Sequence, residues 1–154
     1  MRRRQDMPGK LGPIPEPTSP AVSRSMKGNR GKDTAPELTL RRLLREAGFP
    51  GYRLHWKKAP GRPDIAYPGR KLAIFVNGCF WHRCPHCQPA VPKSHSEFWR
   101  QKFELNRERD DRKREELQRA GWTVFTVWEC ELKADSAHAI SVLTSILSSK
   151  QVNL

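Results

Sequence analysis

Residues 78–87 read GCFWHRCPHC and gather three of the chain's four cysteines and two of its five histidines. Cys79, Cys84 and Cys87 are near enough in sequence to share one ion, and Cys130 supplies a fourth thiol from far along the chain. Three local thiolates and one remote one can close a tetrahedral shell around zinc. A closed shell holds structure and leaves no open position for chemistry. His86 could replace one thiol, so the spacing predicts four cysteines or three cysteines and a histidine. Buried reduced thiols without a metal are the alternative. Neither shell needs His82, which stands beside Trp81. Such a histidine is either a structural hydrogen-bonding residue or a general base.

Two carboxylates are candidates for the same chemistry. Asp64 heads the segment DIAY, and the next apolar run ends at Val76-Asn77. If these are neighbouring strands, the carboxylate lies opposite the end of the second. A hard cation such as magnesium could be held there against a phosphate. Taken alone, a surface turn aspartate would look the same. Glu37 is equally double-valued, because an acid in the first turn of a helix can simply compensate the dipole. Phe80 and Trp81 lie among glycine and charges rather than in a periodic apolar stretch. That placement suits stacking on bases or wedging between base steps; packing against the thiol lobe is the other reading.

These groups need an ordered frame. Asp33-Thr34-Ala35-Pro36-Glu37 reads as a helix start, since proline fits the first turn and carboxylates favour the positive end. Leu40, Leu43, Leu44 and Ala47 then mark one apolar face, and Gly48 a C-terminal cap. The short segment YRLHW and the turn PGRP lead to DIAY. A second turn at Pro68-Gly69 leads to KLAIFV, an apolar run suited to a strand buried on both faces. Residues 96–120, with eight basic and seven acidic side chains between Glu97 and Arg119, read as a solvated helix with local ion pairs. Phe98, Trp99 and Phe103 are its expected core contacts. WTVFTVW is the next expected buried strand, and SAHAISVLTSIL closes the chain as a helix presenting Ile140, Leu143, Ile146 and Leu147. The order is that of a small α/β fold with a mixed sheet.

Composition narrows the partner. The 154 residues include 29 Lys or Arg against 16 Asp or Glu, a formal charge of +13. That excess favours a polyanion, because neutralising phosphates releases condensed counterions. Apolar residues make up 36%, below the roughly 45–50% of an average domain, and residues 1–20 hold five prolines and little that is apolar. They are expected to form a disordered basic arm ahead of one domain at 21–154. No membrane-length apolar run and no apolar segment behind MRRRQDMPGK predict a cytoplasmic protein with no membrane partner. In that reducing setting, clustered cysteines favour metal over disulfides.

The stretches MKGNRGKDTAPE, APGRPDIAYP, IFVNGCFWH, SEFWRQKFELNRERD and GWTVFTVWEC, in this order across roughly residues 22–133, closely resemble the very short patch repair (Vsr) DNA mismatch endonucleases. The resemblance implies an α/β restriction-endonuclease-like fold of PD-(D/E)XK type, with a mixed central sheet flanked by helices and a structural zinc. It implies a magnesium-dependent nick of one strand 5′ to the T of a T:G mismatch, left by 5-methylcytosine deamination, which initiates very short patch repair.

Carried over by position, the resemblance makes Asp64 and the Val76 carbonyl the magnesium ligands and His82 the base that activates water. Glu37 would assist around the metal and water. Phe80, Trp81 and Trp99 would wedge beside the mismatch in double-stranded DNA, and Met26, in a clamping segment at 21–34, would reach the opposite groove. A monomer with mismatch-repair proteins and a DNA polymerase acting downstream, associated with a bacterial nucleoid, is also implied. Two positions depart from the family pattern. Asn77 replaces a second histidine, with an amide that could still hydrogen-bond. The loop also gains one residue, so that Cys84 takes the place of a histidine ligand, which favours Cys79, Cys84, Cys87 and Cys130 with His86 in reserve. A non-catalytic zinc-stapled DNA-binding module and a restriction-type double-strand nuclease are the competing expectations.

Overall fold

The computed structural model describes residues 32–149; the basic arm, Met26 and most of the expected clamp lie outside them. Helix α1 spans Ala35–Glu46. Thr34 caps it by accepting from the Glu37 amide at 3.4 Å, and the Glu37 carboxylate accepts in return from the Asp33 amide at 3.0 Å. This reciprocal box satisfies donors that the first turn cannot pair internally. Gly48 ends the helix at φ 93°, with the Phe49 amide bonded to the Leu44 carbonyl at 2.9 Å.

Strands β1 (Arg53–Leu54), β2 (Ile65–Tyr67), β3 (Leu72–Asn77) and β4 (Thr123–Trp128) form one sheet in sequence order. The first three run antiparallel, and β4 lies parallel to β3, with Val76 opposite Val127 and Asn77 opposite Trp128. A parallel partner demands a crossover. Two helices provide it: the four-residue α2 (Cys79–His82) and the long α3 (Ser96–Arg119). Helix α4 (Glu129–Ser149) follows β4 directly and kinks at Asp135, whose side chain caps the second half by accepting from the His138 amide at 3.0 Å.

The alternation of β3 explains its unbroken apolar run. Leu72, Ile74 and Val76 enter the main core with Leu40 and Leu44 of α1 and Leu143 and Leu147 of α4. On the opposite face Ala73 and Phe75 meet Leu117 of α3, Trp56, Trp122 and Val124. Each fully buried leucine here contributes about 1.5–3 kcal/mol. Strand β4 departs from the expectation of a buried strand: only Val127 is buried, because β4 has a single neighbour and forms the edge of the sheet. Asn77 shares the face of Ala73 and Phe75 and therefore looks towards α3. Among the described residues no helix is long and apolar enough to cross a membrane.

Candidate active site

The hairpin between β2 and β3 sets the first carboxylate. Asp64 immediately precedes β2, and its Oδ2 accepts from the Val76 amide at 2.8 Å. It thus stands against the end of β3 and lines a cleft of about 670 Å³. Glu37, only 3% exposed, lines the same cleft from the start of α1. Burial raises the carboxyls of both residues above their ordinary values, and the charge of Asp64 raises Glu37 further. On Asp64 the Val76 amide and the charges of His55, Lys113 and His82 pull the other way. Glu37 is buried and Asp64 half-buried, and two such acids near each other favour a bound cation. Oxygen donors on a strand end suit magnesium, which keeps several waters and needs few protein ligands.

His82 enters from the end of α2. Its Nδ1 lies 2.6 Å from Asp110 Oδ2 on α3, which leaves Nε2 as the nitrogen available to a reacting water. Asn106 of α3 also donates to the Trp81 carbonyl at 3.0 Å, so one helix face orients both the histidine and the turn that carries it. Asp110 was hidden from sequence reasoning among the many charges of 97–119. The clue was its spacing from Asn106 and Lys113, at i+4 and i+7, which puts all three on one helix face.

His55 was missed as well. Its Nε2 is 3.5 Å from Glu37 Oε2 and its Nδ1 is 3.8 Å from Asp64 Oδ1, so the imidazole sits between the two acids. The pairing of YRLHW with DIAY carries the signal, since the His55 amide bonds to the Asp64 carbonyl at 3.1 Å. Asp33, Glu37 and His55 offer ligand atoms within 4.8 Å of one another. Arg41 already fills that point: its Nη2 lies 2.8 Å from Asp33 Oδ1, 3.0 Å from Glu37 Oε2 and 3.2 Å from His55 Nε2.

A separate cluster joins the four cysteines. Cys79, Cys84, Cys87 and Cys130 bring their sulfurs within 4.8 Å of one another, with Cys84 and Cys130 at 3.6 Å. Tetrahedral Zn–S bonds of about 2.3 Å place sulfurs roughly 3.8 Å apart, so this donor set fits a zinc ion. Burial opposes ionisation of Cys84, but bonds from the Cys87 and His86 amides prevail and lower its thiol below the ordinary value. His86 turns away from the cluster and pairs with Glu131 at 3.1 Å.

The aromatics pack together. Phe80 stands edge-on to Trp81, Trp99 and Phe103 at 5.1, 5.6 and 5.3 Å between centroids. Phe80 and Trp81 are half-buried, not exposed. Trp99 is 3% exposed, so in this conformation it supports the other two from below and does not stand at the tip of a wedge. The reason is helical geometry: Trp99 and Phe103, four residues apart, share the inner face of α3.

Comparison with known proteins identifies the family. The family model for the DNA mismatch endonuclease Vsr matches residues 18–88. The chain is 47% identical over 107 residues to the type II nicking enzyme V.XorIIP of Xanthomonas oryzae pv. oryzae, covering 70% of this chain and 78% of that protein. It is 39% identical over 126 residues to the DNA mismatch endonuclease Vsr of Escherichia coli, covering 81% and 80%. It is 37% identical over 134 residues to the type II nicking enzyme V.NaeI of Lentzea aerocolonigenes, covering 84% and 80%. With its acids, histidine and thiols on one mixed α/β frame, the chain belongs to the Vsr family of DNA mismatch endonucleases and is an endodeoxyribonuclease.

Proposed function

We propose that this endonuclease nicks one strand of duplex DNA 5′ to the T of a T:G mismatch, in a magnesium-dependent reaction that initiates very short patch repair. The observation that carries the reading is the 2.6 Å contact between His82 and Asp110 at the cleft that Asp64 and Glu37 also line. Asp110 holds Nδ1, so Nε2 of His82 takes the proton of the attacking water. The water oxygen bonds to phosphorus while the bond to the 3′ oxygen opens. Asp64, through Oδ1, and the Val76 carbonyl would hold magnesium, which when bound supplies Lewis-acid polarisation of a phosphoryl oxygen. Glu37 orients water beside it.

Phe80 and Trp81 are the wedge against the base step, with Trp99 behind them. A mismatched step unstacks at lower cost than an intact one, which supports selectivity for T:G over T:A. Met26 and the rest of 21–34 complete the DNA grip. Cys79, Cys84, Cys87 and Cys130 would hold a structural zinc and so tie α2 to the start of α4. The core is restriction-endonuclease-like, and the protein acts as a cytoplasmic monomer at the nucleoid. Mismatch-repair proteins and a DNA polymerase take over after the nick.

The test uses a strand-labelled duplex with a T:G mismatch, beside its T:A control, with magnesium and the full chain. A nick in the T strand of the mismatched duplex alone is expected. His82→Ala should lose cleavage while still binding the duplex. No mismatch-dependent nick would sink the reading, and equal cutting of both strands would favour a restriction-type nuclease.

A further inference from the structure

Four cations line the cleft and are not used by the reaction above: Arg62, Lys102, Arg109 and Lys113; Lys113 is the one whose stem packs against the turn that delivers Asp64. It lies on α3 three residues after Asp110 and lines the cleft with Asp64, Phe75, Asn77 and His82. The ion pairs among the described residues do not include it. A lysine on a solvated helix ordinarily lays its stem along nearby apolar surface and keeps its head in water. This stem is confined. Gly61, in the turn that delivers Asp64, packs so closely on it that a Cβ there would stand 2.8 Å from Lys113 Cβ and 3.3 Å from its Cα. The same glycine has φ 72°, so two independent constraints require it. At the other end the ammonium sits 5.9 Å from the centre of the Phe75 ring, on β3 just before Val76. Its charge also favours the Asp64 carboxylate against burial.

We propose that Lys113 is a catalytic, phosphate-binding residue. Its ammonium donates to a non-bridging oxygen of the phosphodiester in the cleft and offsets the charge that develops there as the bond to the 3′ oxygen opens. The assignment rests on the nuclease reading of the site. It involves no covalent step, only a fixed positive charge in a partly enclosed space, where such charges act most strongly. The stem is clamped by the Asp64 turn, the head has no carboxylate partner among the described residues, and Asp110 on the same helix face orients the base.

The experiment measures single-turnover nicking of the T:G duplex by saturating full-length protein with magnesium, and affinity for the same duplex without it. Lys113→Met should lower the saturated rate by about 10²–10³-fold, as loss of one transition-state donor does. Affinity should weaken by less than about tenfold, and the salt slope of binding should fall by about one. Lys113→Arg keeps the charge and should recover part of the rate. Arg112→Met removes the same charge from the exposed neighbouring position and should stay within about threefold of wild type. Wild-type cleavage matched by Lys113→Met overturns the assignment alone, as does a Lys113→Met defect confined to affinity or equalled by Arg112→Met. A wild-type protein that nicks no duplex overturns the nuclease reading and this assignment together.

Discussion

The thiol cluster and the carboxylate cleft begin at opposite ends of the same four-residue helix, at Cys79 and His82, yet they are opposite kinds of site. The thiol cluster draws three of its donors from nine residues and is chemically uniform. The cleft draws on Glu37, Asp64, His82 and Asp110, from well-separated stretches of the chain, and it holds acids that burial and mutual repulsion oppose. A staple therefore adds to stability, whereas the cleft lowers it in exchange for a reactive arrangement.

The contrast breaks most visibly at the thiols. Cys130→Ser should abolish stoichiometric zinc and the cooperative thermal transition together, because a structural zinc site contributes about 10 kcal/mol or more, comparable to a whole domain's stability. His86→Ala should keep one zinc per chain, as its ring pairs with Glu131. Metal analysis and melting curves check both, and a folded, zinc-loaded Cys130→Ser would refute the four-thiol shell. Next in size is Asp110→Asn. Fold and duplex affinity should persist while the nicking rate drops by up to about 10⁴-fold, the order seen when an aspartate that holds a general-base imidazole becomes asparagine; an unchanged rate would make the contact merely structural.

The smallest effect has the opposite sign from the thiol result. Asp64→Asn should abolish nicking yet raise the melting temperature at pH 7 by roughly 2–4 °C, corresponding to about 1 kcal/mol in a chain of this length. Burial raises the Asp64 and Glu37 carboxyls, so the folded state holds their protons more tightly than the unfolded chain does. Wild-type stability is then favoured at acid pH and falls as pH rises through the folded-state values. The advantage of Asp64→Asn should vanish below the carboxylate range, where wild type is protonated too. Melting curves across pH decide it, and a destabilised variant at pH 7 would show that the cleft carries no such strain.

Local chemistry made much of this readable from the chain. The Thr34–Glu37 box, the alternation in KLAIFV, the helix around Trp99 and Phe103, and the spacing of Cys79, Cys84 and Cys87 all act over a few residues. Asp64 opposite Val76 was also readable, because a hairpin relates strands by a short turn. Residues of α3 were not. Asp110 and Lys113 resemble Asp111 and Arg112 in type and neighbourhood, and only the angle at which α3 crosses β3 decides which pair faces the cleft. His55 and Arg41 were hidden for the same reason, since their partners lie on other elements.

Sequence by itself determined the frame and the four candidate thiols, because periodicity, caps and cysteine spacing are set by bonds and turns close along the chain, and its matching stretches carried the family. Only the tertiary structure decided that Asp110 holds His82, that Arg41 and His55 occupy the space beside Glu37, that Trp99 lies beneath Phe80, and that His86 turns outward to Glu131. Those outcomes depend on how helices settle on the sheet, and that docking is governed by the summed burial of side chains far apart in sequence.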